Sequence, residues 1–187
     1  MKTTLKHIAS IQTGFFVKPS TEGDVVYLQA KHFDETGLLN TTLHPDLMAE
    51  SIPERHLLRK GDVLFAAKGT KNFAAIYNID LPAAASTSFF VIRLENEYAN
   101  RIIPEFLVWL INQPDSQNFL KGNAMGSSIA SISKTVLEDL VVSIPTIKTQ
   151  EVILHIASLR IKEIQLRQQI EILRDKQIQQ QIINAIK

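Results

Sequence analysis

No cysteine occurs in the 187 residues. Disulfides and thiolate metal ligands are thereby excluded, and a reducing compartment is favoured. Glycine and proline are sparse at seven each. No two glycines stand in Gly-x-Gly spacing, so loops of that type for dinucleotides or S-adenosylmethionine are unsupported. Gly-Lys-Ser/Thr is missing, which removes the P-loop. Pro-Pro is missing too, and with it the Asn/Asp-Pro-Pro-aromatic sequence of aminomethyltransferases. No lysine follows an acidic residue by two positions, so the Asp/Glu-x-Lys signature of nucleases has no counterpart. His7, His32, His44, His56 and His155 show no metal-ligand spacing. Ser86, Thr87 and Ser88 lack the Gly-x-Ser-x-Gly elbow. Together these absences argue against an enzyme. The first residues, MKTTLKHIASIQTG, carry no apolar signal region, and no apolar run reaches the roughly eighteen residues of a membrane span. Cytoplasm is the expected location.

What is present is ordinary in amount and uneven in distribution. Hydrophobic residues make up 45% and charged residues 21%, the balance of a globular chain with one good core. The formal net charge is +1. Residues 1–145 hold 13 Lys+Arg against 15 Asp+Glu, a net of −2, and residues 146–187 hold 7 against 4, a net of +3. An acidic globule that binds nucleic acid must concentrate its positive charge locally. The best local cluster in sequence is Arg55, His56, Arg59, Lys60, Lys68 and Lys71, interrupted by Asp62.

Hydrophobic patterning predicts an α+β fold: a globular domain of short strands and small helices over 1–145, then one long helix over 146–187. Leu5, Ile8 and Ile11 stand three apart and predict a short amphipathic helical turn ended by Gly14. Strands are predicted at Val25–Gln29, Val63–Ala67, Phe73–Tyr77, Ser88–Leu94 and Val141–Ile144, with turns at 34–37 and 59–62. Pro104 and Pro114 each suit a first helical position, and Ser133 suits the N-cap of a helix over 134–139. Gly14, Gly61 and Gly69 are expected to serve turn geometry. Phe106 and Trp109 are expected in the core, and Asp62 in a cap or turn. Gln168, Gln169, Gln179, Gln180 and Gln181 of the last helix are expected on its solvated surface.

From Thr146 to Lys187 there is neither Pro nor Gly. A helix of that length reaches roughly 60 Å. One stripe runs Val152, Ile156, Leu159, Glu163, Leu166, Ile170, Leu173, Gln177, alternating four and three as a coiled-coil seam requires. A second contains Ile161, Ile164, Ile172, Ile178, Ile182 and Ile186. Two stripes suggest two contacts, one with the chain's own globule and one with a partner. The competing reading is a single broad face packed within the chain.

The ordered set of motifs resembles one half of a specificity subunit of a type I restriction–modification system. It begins with Leu5-x-x-Ile8-Ala9-x-Ile11-x-x-Gly14. Lys60-Gly61-Asp62-Val63-Leu64-Phe65-Ala66-Ala67-Lys68-Gly69 follows, then the strand Ala85–Arg93. Gly126-Ser127-x-Ile129, Ile132-Ser133-Lys134, Leu137-x-x-Leu140, Ile144-Pro145, Gln150 and Ile153 open the long helix as the family's domain-to-spacer junction does. Full-length members resemble a tandem of two such units; this chain holds one.

The resemblance implies a target recognition domain joined to a spacer helix. Two copies would pair antiparallel through Ile156, Leu159, Leu166, Ile170 and Leu173, and the homodimer would read two inverted half-sites on double-stranded DNA. It implies no catalysis and no cofactor in this chain. Methyltransferase subunits would bring S-adenosylmethionine and flip the target adenine, and a restriction subunit with ATP-driven translocation could join. Candidate DNA contacts in polar loops beside strands are Lys18, Lys31, His32, Lys68, Thr70, Lys71 and Asn72, with the backbone amides of Ser127 and Ser128 facing phosphate. Two other classes stay open. One is a protein-interaction module that dimerises through its helix; the other is a recognition fragment of a fused restriction–methylation enzyme. Steep salt dependence separates DNA binding from the first.

Overall fold

A computed structural model describes residues 1–20, 22–34, 36–69, 72–124 and 131–186. The chain divides into two units, Met1–Ile147 and Lys148–Lys187. The first unit is built on a four-stranded antiparallel sheet in the order β2-β7-β4-β5. These strands are β2 (Ala9–Thr13), β4 (Val63–Ala66), β5 (Ala74–Ile76) and β7 (Phe89–Leu94). A parallel pair joins β3 (Val26–Leu28) to β6 (Ala83–Ala85), and an antiparallel pair joins β1 (Lys2–Thr4) to β8 (Val141–Ser143). Three helices, α1 (Pro104–Ile111), α2 (Pro114–Gly122) and α3 (Lys134–Glu138), complete it.

The inner strand β4 is buried on both faces, so it reads as a continuous apolar run rather than an alternating one. Val63 and Phe65 of β4 join Ile92, Leu107, Ile111 and Leu137 in one core. Leu64 and Ala66 point the other way, to Val26, Leu28, Phe73 and Val91. The period of two thus divides one strand between two cores. Strand β5 lies at the sheet edge. The side-chain amide of Asn112, just past α1, pairs with both backbone groups of Ala74: Oδ1 accepts from its N–H at 2.7 Å and Nδ2 donates to its carbonyl at 2.9 Å. That occupies edge groups which would otherwise invite another strand.

The predicted turn at Leu5–Ile11 is corrected. Leu5–His7 forms a 3-10 turn, and Ala9–Thr13 then continues as β2. Spacing of three fits one helical turn, but Ala9 and Ile11 alternate inward beside exposed Ser10, and pairing with β7 decides the outcome. Ser133 is the expected cap of α3, its Oγ accepting from the Val136 N–H at 3.3 Å. Gly61 takes φ +90, as a turn glycine should. Gly14 has a different reason from the expected one. A Cβ there would lie 2.0 Å from the Ser86 carbonyl oxygen, so close backbone approach excludes a side chain.

The second unit is a single helix, α4 (Ile147–Ile186), 40 residues long. Its apolar side chains face solvent: Ile156, Leu159, Leu166, Ile170 and Leu173 are each about half or more exposed. The second stripe is exposed as well, from Ile161 to Ile186. Glu163, which interrupts the first stripe, accepts from Arg160 at 2.7 Å and from Arg167 at 2.6 Å. The hydrogen bond from Arg160 and the charge of Arg167 hold its carboxyl below the usual range, so it stays ionised at neutral pH.

Candidate nucleic-acid interface

Strand ends define the candidate surface. The Ser86 N–H donates to the Leu28 carbonyl at 2.8 Å, the Ala67 N–H to Ser88 at 2.9 Å, and the Gly14 N–H to Phe89 at 3.0 Å. These bonds draw the C-terminal ends of β2, β3, β4 and β6 together at the start of β7. Lys31 and His32 follow β3, and Lys68 and Asn72 follow β4. Four of the candidates named from sequence therefore stand on loops rising from one rim. Beneath it Phe33, Phe73 and Phe89 pack together, with ring centroids 5.7–6.2 Å apart. The three rings give the loops a stiff floor, as a recognition surface needs. This trio was not singled out from sequence, because its members come from segments far apart in the chain.

The candidates differ in how free they are. Lys31 and Lys68 are exposed. Asn72 donates through Nδ2 to the Ala66 carbonyl at 2.9 Å and so braces its own loop. A bidentate adenine contact would need that same donor. His32 is half-buried and closes a cap, its Nδ1 accepting from the Gln29 N–H at 3.4 Å. Lys18 is exposed on the segment that leaves this rim after Gly14 and runs toward Asp46, where the Ser20 N–H bonds the Asp46 carbonyl. Thr70, Lys71, Ser127 and Ser128, with the Gly126–Ile129 junction motif, lie outside the described residues.

Of the basic cluster inferred from sequence, Lys71 lies outside the described residues. Lys60 precedes β4 and Lys68 follows it, so the strand separates them. Lys60 instead pairs with Asp80. Asp62, as expected, holds a turn: Oδ2 accepts from the Arg59 N–H at 2.8 Å. It also forms a two-pronged pair with Arg93, at 2.8 Å from Nε and 2.6 Å from Nη2. Arg93 reaches on to the Leu57 carbonyl at 3.2 Å. Sequence reasoning placed Arg93 only within a strand and missed this pair, which register between β4 and β7 creates. Among the described residues, no group of three or more His, Asp and Glu side chains could hold a metal ion. Nor is any helix among them long and apolar enough to cross a membrane.

Burial, with the charge of Lys31 as a second cause, lowers the His32 pKa below its ordinary value. Protonation would also turn its accepting Nδ1 into a donor against the Gln29 N–H. Below about pH 6.5 the unfolded chain then binds more protons than the folded one, so stability held above that pH is lost as pH falls. Thermal melts from pH 7.5 to 5 should show a steeper loss for the wild type than for His32→Gln. Equal slopes would remove His32 as a source of acid sensitivity.

Residues 9–174 match the family model for the type I restriction modification DNA specificity domain. The chain belongs to that family. Among solved structures it is similar to the HsdS subunit from Thermoanaerobacter tengcongensis, with 23% identity and a TM-score of 0.65 over 88% of this chain and 43% of that one. It is similar also to the type I restriction–modification S subunit from M. genitalium, with 14% identity and a TM-score of 0.59 over 85% and 38%. A third similar structure, described as concerning complex assembly and conformational transition of the type I R-M system, gives 23%, 0.67, 90% and 44%. The chain spans less than half the length of each. No curated protein sequence matches it. A specificity domain with short strands, small helices and a long C-terminal helix is what motif order led one to expect. The family is generally non-catalytic.

Proposed function

We propose that this chain reads DNA as an antiparallel homodimer, each copy placing its recognition domain (residues 1–145) on one of two inverted half-sites. The helix over 146–187 serves as dimerisation element and spacer. The observation that carries this reading is the seam on α4. Ile156, Leu159, Leu166, Ile170 and Leu173 follow a spacing of three and four residues that Glu163 interrupts once, and are left facing water at 60, 52, 49, 48 and 63% exposure. An apolar seam of that period is satisfied by another helix. A second copy supplies it at no cost in new sequence, and two-fold symmetry then fixes both the inverted order of the half-sites and the gap between them.

Lys31 and Lys68 suit guanine O6 and N7 or phosphate, Asn72 fixes the loop beside them, and Lys18, Thr70, Lys71, Ser127 and Ser128 add contacts to the backbone or bases. Methylation and cleavage belong to partners: methyltransferase subunits with S-adenosylmethionine, and a restriction subunit with ATP. The assembly works in the cytoplasm. The double variant Lys68→Ala, Lys71→Ala should weaken duplex binding about tenfold or more at moderate salt while the dimer persists, since each lost phosphate contact removes one counterion release. A mobility-shift titration checks this. Unchanged binding would exclude the loop as a reader, and binding insensitive to salt would favour a protein partner.

A further inference from the structure

We propose that Phe16 is a specificity-determining side chain, its ring contacting a base pair in each half-site while Lys18 beside it engages phosphate. The inference rests on the DNA-reading function proposed above. Burial alternates along the extended segment after Gly14. Phe15 and Val17 are half-buried, whereas Phe16 and Lys18 are exposed, Phe16 at 79%. Alternation of that kind sets Phe16 and Lys18 on one side of the backbone, about 7 Å apart.

A single exposed aromatic residue is ordinary. This one is held where it stands. The Phe15 N–H donates to the Ala85 carbonyl at 2.7 Å, and the Phe15 carbonyl accepts from Tyr27 Oη at 2.9 Å. The Phe15 ring lies 4.9 Å from the His56 imidazole. Phe15 and Val17 both pack against the core of Val25, Tyr27, Leu47 and Ile52. Turning Phe16 inward would require turning its neighbours out. Its position is also informative. The tight approach of Gly14 to Ser86 starts the segment at the rim that carries Lys31 and Lys68. Arg55 stands next to His56, and its carbonyl accepts from Gln12 Nε2 at 3.0 Å. An exposed ring on an anchored backbone, with Lys18 on the same side, suits nucleic acid, where aromatic side chains stack on bases or wedge between steps and lysines meet phosphate.

The test is selection from a pool of duplexes with a randomised core, using the full chain. Wild type should recover an interrupted inverted repeat. Phe16→Ala should recover the same repeat with preference lost at one base pair per half-site, and should bind the wild-type consensus at least about fivefold more weakly. Lys18→Ala should instead weaken binding to all duplexes alike and reduce the salt slope by about one per recognition domain. Melting temperatures of both variants should match wild type, because both side chains are exposed. In the Phe16→p-benzoylphenylalanine variant, irradiation should yield a DNA adduct. Wild-type preference and affinity in Phe16→Ala would overturn this inference alone. Cross-linking to a protein subunit rather than DNA would overturn it in favour of a protein contact. A wild-type chain that selects no sequence would overturn it together with the DNA-reading function.

Discussion

Leu166→Glu combined with Leu173→Glu should convert the proposed dimer to monomers whose first unit remains folded. Both side chains sit on the seam of α4 and are exposed in the single chain, at 49 and 63%. In a two-fold pair the double variant removes four leucines from the interface. At about 1.5 kcal/mol or more for each buried leucine, the loss is at least about 6 kcal/mol, on the order of 10⁴-fold in the dimer Kd. Four carboxylates forced against an apolar seam add to that. Light scattering should report the 21.0 kDa chain mass where wild type reports twice that value. DNA carrying both half-sites should lose most of its advantage over DNA carrying one, because the second contact is no longer tethered to the first. A persistent dimer would move the interface to the second stripe, Ile161 to Ile186. Circular dichroism should still show the sheet of the first unit, since the substituted residues make no part of its cores.

Asp62→Ala should strongly destabilise the first unit. The Asp62 side chain is 2% exposed and that of Arg93 is 23% exposed. Removing the carboxylate leaves the guanidinium without its charge partner and the Arg59 N–H without its acceptor. Breaking a buried pair in this way costs about 3 kcal/mol, which for a chain of this size lowers Tm by about 6–12 °C. The control is Lys6→Ala, which breaks the pair Lys6–Asp139 at 2.8 Å, where both side chains are about half exposed. That substitution should cost less than about 1 kcal/mol. A similar fall in both variants, or none in Asp62→Ala, would contradict the structural role given to Asp62. Because Lys60-Gly61-Asp62 is one of the motifs by which the chain resembles its family, the result also tells why that motif is there. It locks the entry of β4 against β7.

Much of this architecture was legible from residues alone, and the limits were physical. The strands Val63–Ala66 and Phe89–Leu94 announce themselves as runs of apolar and β-branched residues. Pro104, Pro114 and Ser133 mark helix starts that local chemistry dictates. The long helix follows from the lack of any breaker after Pro145. What failed was whatever depends on long-range pairing. Lys2–Thr4 is too short and polar to read as a strand, and it becomes one by pairing with Val141–Ser143 across almost the whole first unit. Ala83–Ala85, for which no strand of its own is predicted, forms one in parallel with Val26–Leu28. One part of the basic cluster failed for the same reason. Sequence proximity put Lys60 and Lys68 together, and the intervening strand separates them. At the candidate surface, the polar loops beside strands were legible from residue types. Which of their side chains were already engaged, as Asn72 and His32 are, required the hydrogen bonds themselves.

The central claim is that this chain, as a symmetric pair, confers sequence specificity on DNA methylation. Single-molecule methylation sequencing tests it most directly, on DNA from cells that express the methyltransferase subunit with and without this chain. The account predicts methyladenine at an interrupted palindrome, present only when the chain is present. An unchanged pattern in cells with demonstrably active methyltransferase, or methylation at a target without inverted symmetry, would contradict it.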